Sequence, residues 1–306
     1  MSENTTCRLS AYAKINTYLA VTGVRSDGYH TLLSHMQALT LSDTLTIDWQ
    51  AGEGDGVTVV LTCDRPEVPT DESNLITRAA RALFALLDKE GQHHSGRLSV
   101  HLEKRIPMAA GLGGGSADAA ATLVGLNDCL GKPLDTEALC RLGATLGADI
   151  PFCIQSVTGQ AYAATARGIG EILTRERGLL PTWHLVVACH GEGVSTPWAY
   201  RRLDECGHAD VDAEATYETF LSALTESDLG RIAELSYNCF EGVVLPERPA
   251  ARSLMQAMTK EGAAKVGMSG SGPSVFGVFE SETAARHCLE TLNAQGVTAH
   301  LCRPLS

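Results

Sequence analysis

The chain has 306 residues, 44% hydrophobic and 20% charged, enough apolar material for two ordinary domains with full cores. Its formal net charge of −12 opposes a general DNA- or RNA-binding role, because an acidic surface repels a phosphate backbone. It starts without a basic-then-apolar leader and holds no run as long as a membrane span, so a soluble, cytoplasmic protein with no membrane partner is expected.

Residues 11–21 predict a strand with Ala13, Ile15, Thr17, Leu19 and Val21 on one face and Tyr12, Lys14, Asn16 and Tyr18 on the other. A lysine and an asparagine thus share a face. Asp27-Gly28, inside RSDGYH at 25–30, is the pair expected of a tight hairpin turn, and a second strand is predicted over 39–49. A glycine turn at 52–56 precedes a short strand at 57–61. Leu75, Ile76, Ala79, Leu83 and Leu86 recur at helical spacing over 74–88. Leu98, Val100 and Leu102 alternate as a strand, and PMAAGLGGGSADAA at 107–120 leads into helices predicted over 117–130 and 136–148. After Ile154 the texture changes to a strand at 184–189 and helices around 227–239 and 248–261. A second small-residue loop, Gly267, Ser269, Gly270, Ser271 and Gly272, runs into a strand at 274–279, followed by a helix at 282–294 and a strand at 298–302. A domain boundary is expected near residue 156, giving domains 1–156 and 157–306. Ten cysteines, scattered with no C-x-x-C pair and no zinc spacing, point to reduced thiols.

The loop at 107–120 carries the chemistry. Four glycines within five residues (Gly111, Gly113, Gly114, Gly115) open a helix, and such a turn aims free N–H groups and a positive dipole end at an anion. The plain alternative is a tight strand-to-helix turn backed by small residues. As a phosphate loop it is not a Walker A sequence, because Gly115 is followed by Ser116 and Ala117 rather than by Lys and Ser/Thr. It also fails the dinucleotide fingerprint: the last glycine of G-x-G-x-x-G falls on Ser116 or Asp118, and a helix stands where the next strand should be. A nicotinamide-dependent dehydrogenase is therefore disfavoured.

AYAKIN near the start, PMAAGLGGGSADAA, and GMSGSGPSVF near the end, in that order and spacing, resemble the GHMP kinase superfamily over nearly the whole chain. AKIN at 13–16, RSDGYH at 25–30, LGADIPF at 146–152 and GVSTPWAY at 193–200 narrow the likeness to members acting on 4-diphosphocytidyl-2-C-methyl-D-erythritol in non-mevalonate isoprenoid precursor synthesis. The resemblance implies an α/β (α+β) two-domain fold, with an S5-like N-terminal domain and a ferredoxin-like C-terminal domain. It implies ATP as phosphoryl donor with Mg²⁺, and transfer to the 2-hydroxyl of that small-molecule substrate. Members acting on homoserine, mevalonate or a sugar share the glycine loops but not the Tyr29-His30 pair. One departure is visible: the family often has glycine where Ala109 and Ala110 stand.

Under this resemblance Asp149 is the candidate catalytic base, a carboxylate placed to receive the alcohol proton; the alternative is a helix-capping aspartate. Lys14 is its electrostatic partner, and the alternative is a lysine snorkelling from a strand. Pro107, Gly111, Leu112, Gly113, Gly114, Gly115 and Ser116 would wrap the ATP phosphates, with Asn74 and Lys104 at the adenosine end. Ser116 would approach Mg²⁺. Tyr29, His30 and Tyr200 would hold the cytosine ring, Asn16 and Thr196 the rest of the acceptor; partial core burial is the competing reading for both tyrosines. The loop at 267–272 would border the substrate diphosphate or stabilise the cleft; the alternative is a tight turn between helix and strand.

Overall fold

The computed structural model describes residues 4–54, 56–191, 193–207 and 212–306. In chain order these form β1 (Asn4–Val24), β2 (His30–Ala51), β3 (Val57–Cys63), α1 (Leu75–Lys89), β4 (Gly96–Glu103), α2 (Gly114–Cys129), α3 (Thr136–Ala144) and α4 (Ile150–Val157). There follow β5 (Ala163–Arg167), β6 (Ile172–Arg175), β7 (His184–Cys189), α5 (Thr196–Cys206), α6 (Ala213–Glu226), α7 (Leu229–Leu235), β8 (Tyr237–Asn238) and α8 (Glu241–Val244). The chain closes with α9 (Pro249–Lys260), β9 (Lys265–Met268), β10 (Val275–Phe279), α10 (Glu282–Ala294) and β11 (Thr298–Cys302). No helix among the described residues is long and apolar enough to cross a membrane.

Two compact units emerge, and neither is a single stretch of chain. The first takes residues up to Ala13, Ser42–Ile106 and Gly114–Ala161; the second takes Lys14–Leu41, Pro107–Gly113 and Tyr162–Ser306. The cut expected near 156 lies close to the last of these crossings. The others fall within the long β1 and β2 and on both sides of residues 107–113.

In the first unit, β2 pairs antiparallel with β4 from Thr44↔Glu103 to Ala51↔Gly96, and β4 pairs parallel with β3. α1 forms because Asn74 caps it, accepting from the Ile76 N–H, and because Ile76, Ala79, Ala80, Leu83 and Leu87 make one buried stripe. α2 is small and apolar on nearly every side. A side chain at Gly125 would place its Cβ 2.6 Å from the terminal methyls of both Ile47 and Leu9, so glycine is what lets α2 settle on β1 and β2.

In the second unit, β11-β7-β10-β9 form an antiparallel sheet. With α9 before β9 and α10 between β10 and β11, this is the βαββαβ order of a ferredoxin-like layer. Val186, Val275 and Phe279 from the sheet pack with Leu254 and Met258 of α9 and Cys288 and Leu292 of α10.

β1 and β2 are far longer than the strands predicted at 11–21 and 39–49. Residues 34–37 obscured β2: Ser34, His35 and Gln37 are polar yet fully buried, each hydrogen-bonded, which breaks the apolar alternation. The helix predicted over 136–148 ends at Ala144, and α4 starts anew with Pro151 in its first turn, a position proline favours. The helix predicted over 227–239 is α7 alone, started by Asp228 accepting from the Arg231 N–H, just after Ser227 ends α6 in a left-handed conformation.

Candidate active site

The glycine loop and the second small-residue loop are laced together within the second unit. Gly111 has φ +77°, and a Cβ there would fall 2.1 Å from the Ser269 carbonyl oxygen. Only glycine fits. Ser269 Oγ donates to the Gly111 carbonyl (2.8 Å) and the Ser274 N–H to that of Ala110 (3.2 Å). Asn238, a residue that sequence reasoning passed over, donates to the carbonyls of Met268 (2.7 Å) and Gly270 (2.9 Å) and so holds the second loop in shape. Thr196, the first residue of α5, meets Ser271 hydroxyl to hydroxyl at 3.0 Å. The loop at 267–272 is thus a brace for residues 110–111 rather than a bare turn.

Ala109, where the family often has glycine, is exposed with φ +49°. That backbone is the one glycine adopts freely and alanine adopts at a cost of roughly 1–2 kcal/mol. The departure is one of residue, not of conformation.

Lys14 lies against the same loop. Its N–H donates to the Leu112 carbonyl (3.0 Å), and a Cβ on Gly113 would touch its Cγ at 3.0 Å. Its Nζ donates to Asn16 Oδ1 (2.8 Å), and Asn16 Nδ2 donates to Ser34 Oγ (2.8 Å). Lys14 is only 5% exposed and Asn16 3%. A snorkelling lysine would show its ammonium to water, so that reading fails here.

Gly114, Gly115 and Ser116 form the first turn of α2, where backbone N–H groups lack helical partners. A Cβ on Gly115 would meet Leu75 at 3.5 Å, which brings the start of α1 beside this turn. Asn74 is engaged there as the α1 cap, and its Nδ2 donates to the Pro69 carbonyl (2.7 Å).

Lys104, expected at the adenosine end, is tied up within the protein. It is buried as an ion pair between Asp43 and Asp118, with Nζ 2.6 Å from an oxygen of each, and it lies just under Gly114. Asp43 also accepts the N–H groups of Arg105 and Ile106, fixing the chain as it leaves β4 for the loop. Burial works against the Lys104 ammonium, but Asp118 and Asp43 together hold its pKa up. For Asp118, burial and the charge of Asp43 outweigh Lys104 and push the carboxyl up to about 7. Its Oδ1 is buried with no hydrogen-bond partner among the described residues. Neither carboxylate was legible as a partner, since Asp43 lies 61 residues before Lys104 and Asp118 14 after.

Asp149 stands at the N-cap position of α4, but its side chain makes no capping hydrogen bond. The capping explanation for this aspartate therefore lapses.

His30 and Tyr200 come together, stacked on each other with centroids 4.5 Å apart and planes at 25°. Phe240 meets Tyr200 edge-on at 5.0 Å, and His30 Nε2 lies 2.8 Å from Asp204 Oδ1. The two rings form one aromatic platform rather than two walls about a base. Tyr29 is 61% exposed, which excludes core burial for it. Asp204 sits four residues after Tyr200, one helical turn away, and that spacing was the available signal for it.

Among the described residues there is no group of three or more His, Cys, Asp or Glu side chains able to hold a metal. Ser116 lies in the first turn of α2, and the buried carboxyls of Asp43 and Asp118 nearby are paired with Lys104, so a magnesium there would be carried mainly by phosphate oxygens and water, the usual manner for that ion.

The family model for the GHMP kinases N terminal domain matches residues 74–156, and that for GHMP kinases C terminal matches residues 220–298. A 4-diphosphocytidyl-2-C-methyl-D-erythritol kinase of Synechococcus sp. (strain JA-2-3B'a(2-13)) is 42% identical, over 94% of this chain and 90% of its own. Its counterpart from Alkaliphilus metalliredigens (strain QYMF) is 36% identical, over 98% and 97%. A crystal structure of 4-(cytidine 5'-diphospho)-2C-methyl-D-erythritol kinase superposes with a TM-score of 0.74 at 33% identity, covering 97% of this chain and 99% of that one. The chain belongs to the GHMP kinases, within the family of the 4-diphosphocytidyl-2-C-methyl-D-erythritol kinases.

Proposed function

We propose that this chain transfers the γ-phosphoryl group of ATP to the 2-hydroxyl of 4-diphosphocytidyl-2-C-methyl-D-erythritol, as a soluble cytoplasmic enzyme of isoprenoid precursor synthesis. The observation that carries the reading is the likeness, over nine-tenths or more of both chains, to kinases named for that substrate. Phosphoryl transfer asks a protein mainly for alignment and charge stabilisation. The N–H groups at the α2 turn, with Gly111, Leu112, Gly113 and Pro107, hold the phosphates; Lys14 offsets charge on the moving group; Asp149 takes the alcohol proton. Asn74 and Lys104 border the adenosine end. Asn16 and Thr196 bind acceptor hydroxyls, and Tyr29 stacks on the cytosine ring beside the His30–Tyr200 pair. Ser116 would offer its hydroxyl to a Mg²⁺ arriving with ATP, and that ion would supply positive charge against the phosphates.

Asp149→Asn and Lys14→Met are each expected to lower kcat by ~10² or more, with circular dichroism and unfolding midpoint unchanged. Near-normal turnover in either folded variant contradicts the role given to that residue.

A further inference from the structure

α2 carries glycines at one end and a thiol at the other. Cys129, its last residue, faces Cys7 of β1 with the two Sγ atoms 3.6 Å apart. Cys7 Sγ also lies 3.5 Å from the Gly125 carbonyl, and Cys129 Sγ 3.8 Å from that of Thr5, so both thiols are held where helix meets strand. Each is half-buried and within reach of a small reagent. A disulfide needs its sulfurs about 2.05 Å apart, leaving about 1.5 Å of closure, within the range of a side-chain rotation.

We propose that Cys7 and Cys129 are a modification site, forming a reversible disulfide that ties the carboxy-terminal end of the loop-bearing helix to β1. The oxidant is a low-molecular-weight disulfide such as oxidised glutathione. The Cys129 thiolate attacks one sulfur of glutathione disulfide, expelling one glutathione thiolate and leaving a mixed disulfide on Cys129. Cys7, once deprotonated, attacks Cys129 Sγ, forming the protein disulfide and expelling the second glutathione thiolate. Two electrons pass from the cysteines to the oxidant, and the two thiol protons leave with the glutathiones.

The order of attack follows from the contact between the thiols. The hydrogen bond from Cys7 stabilises the Cys129 thiolate and lowers its pKa, against burial and the charges of Asp128 and Asp48. The same bond, with burial and those two carboxylates, raises that of Cys7. Joining positions 122 residues apart removes much freedom from the unfolded chain, so oxidation raises the unfolding temperature, by about 5 °C.

The test treats the full chain with oxidised glutathione, maps its peptides by mass without reduction, and follows thermal unfolding. The expected result is a Cys7–Cys129 linked peptide and the rise in Tm, both reversed by dithiothreitol and both absent in Cys7→Ser and Cys129→Ser. Exposed Cys206 takes up glutathione in all three proteins and serves as the internal control. In the wild type, glutathione retained on Cys7 or Cys129 without a link, a link between other cysteines, or an unchanged Tm in the linked protein overturns the proposal.

Discussion

Lys104 stands between two carboxylates that have been withdrawn from water, and removing it leaves both without their cation. Breaking a buried ion pair from one side costs about 3–5 kcal/mol. Lys104→Met should therefore lower the free energy of urea unfolding by about that amount at pH 7, and a loss below 1 kcal/mol contradicts the ion-pair account. His35 makes a second prediction. Its Nε2 faces the Arg177 carbonyl, which can only accept, so the neutral ring carries its proton there and Nδ1 accepts from Thr17 Oγ1. Burial lowers its pKa from 6.5 to about 4. The folded state thus resists a proton that the unfolded state takes up, so this contribution is complete above about pH 6.5 and is lost as pH falls toward 4. Between pH 7 and 4.5 the wild type should lose about 2.5 kcal/mol more than His35→Gln; equal losses in the two proteins contradict it. In the sequence Lys104 reads as a cation at the adenosine end, and His35 falls between the strands predicted at 11–21 and 39–49. Their partners, Asp43 and Arg177, are distant in sequence, and nothing local announces them.

The glycine loop separates into two parts with different demands. At Gly111 a side chain strikes the Ser269 carbonyl, so Gly111→Ala must push the loops apart, and both stability and ATP KM should suffer. At Gly115 the backbone is helical and an added Cβ would make an ordinary contact with Leu75. Gly115→Ala should raise stability by about 0.5–1 kcal/mol, the usual gain in a helix. If this turn closes on phosphate as proposed, the same substitution raises the KM for ATP at least tenfold. Increased stability with unchanged ATP KM would remove Gly115 from the phosphate site. The glycine density made the loop legible as an element. Its brace by Asn238 and Ser269 was not, because an asparagine that holds carbonyls across a chain reversal looks like any polar residue near a strand.

Across the whole molecule, the α/β character and most helices were readable from periodicity, since α1, α9 and α10 each bury one clean stripe, whereas the ferredoxin-like order came only from the family resemblance. The division into units was not. It depends on β1 and β2 running 21 and 22 residues, through stretches where buried Ser34, His35 and Gln37 replace apolar side chains. The candidate site follows the same division of legibility: motif residues such as Lys14, Gly111 and Asp149 stood out, while Asp43, Asp118 and Asn238 emerged only with the fold. The acceptor remains the central claim, because the glycine loops specify the donor alone. Coupled measurement of ADP release with 4-diphosphocytidyl-2-C-methyl-D-erythritol, homoserine and mevalonate, in wild type and Asp149→Asn, tests it most directly. The account predicts ADP release with the first alcohol, at least 10²-fold faster in wild type than in Asp149→Asn, and none above background with the other two. Turnover of homoserine or mevalonate at an equal or greater rate, or none with the cytidylyl alcohol, would contradict it.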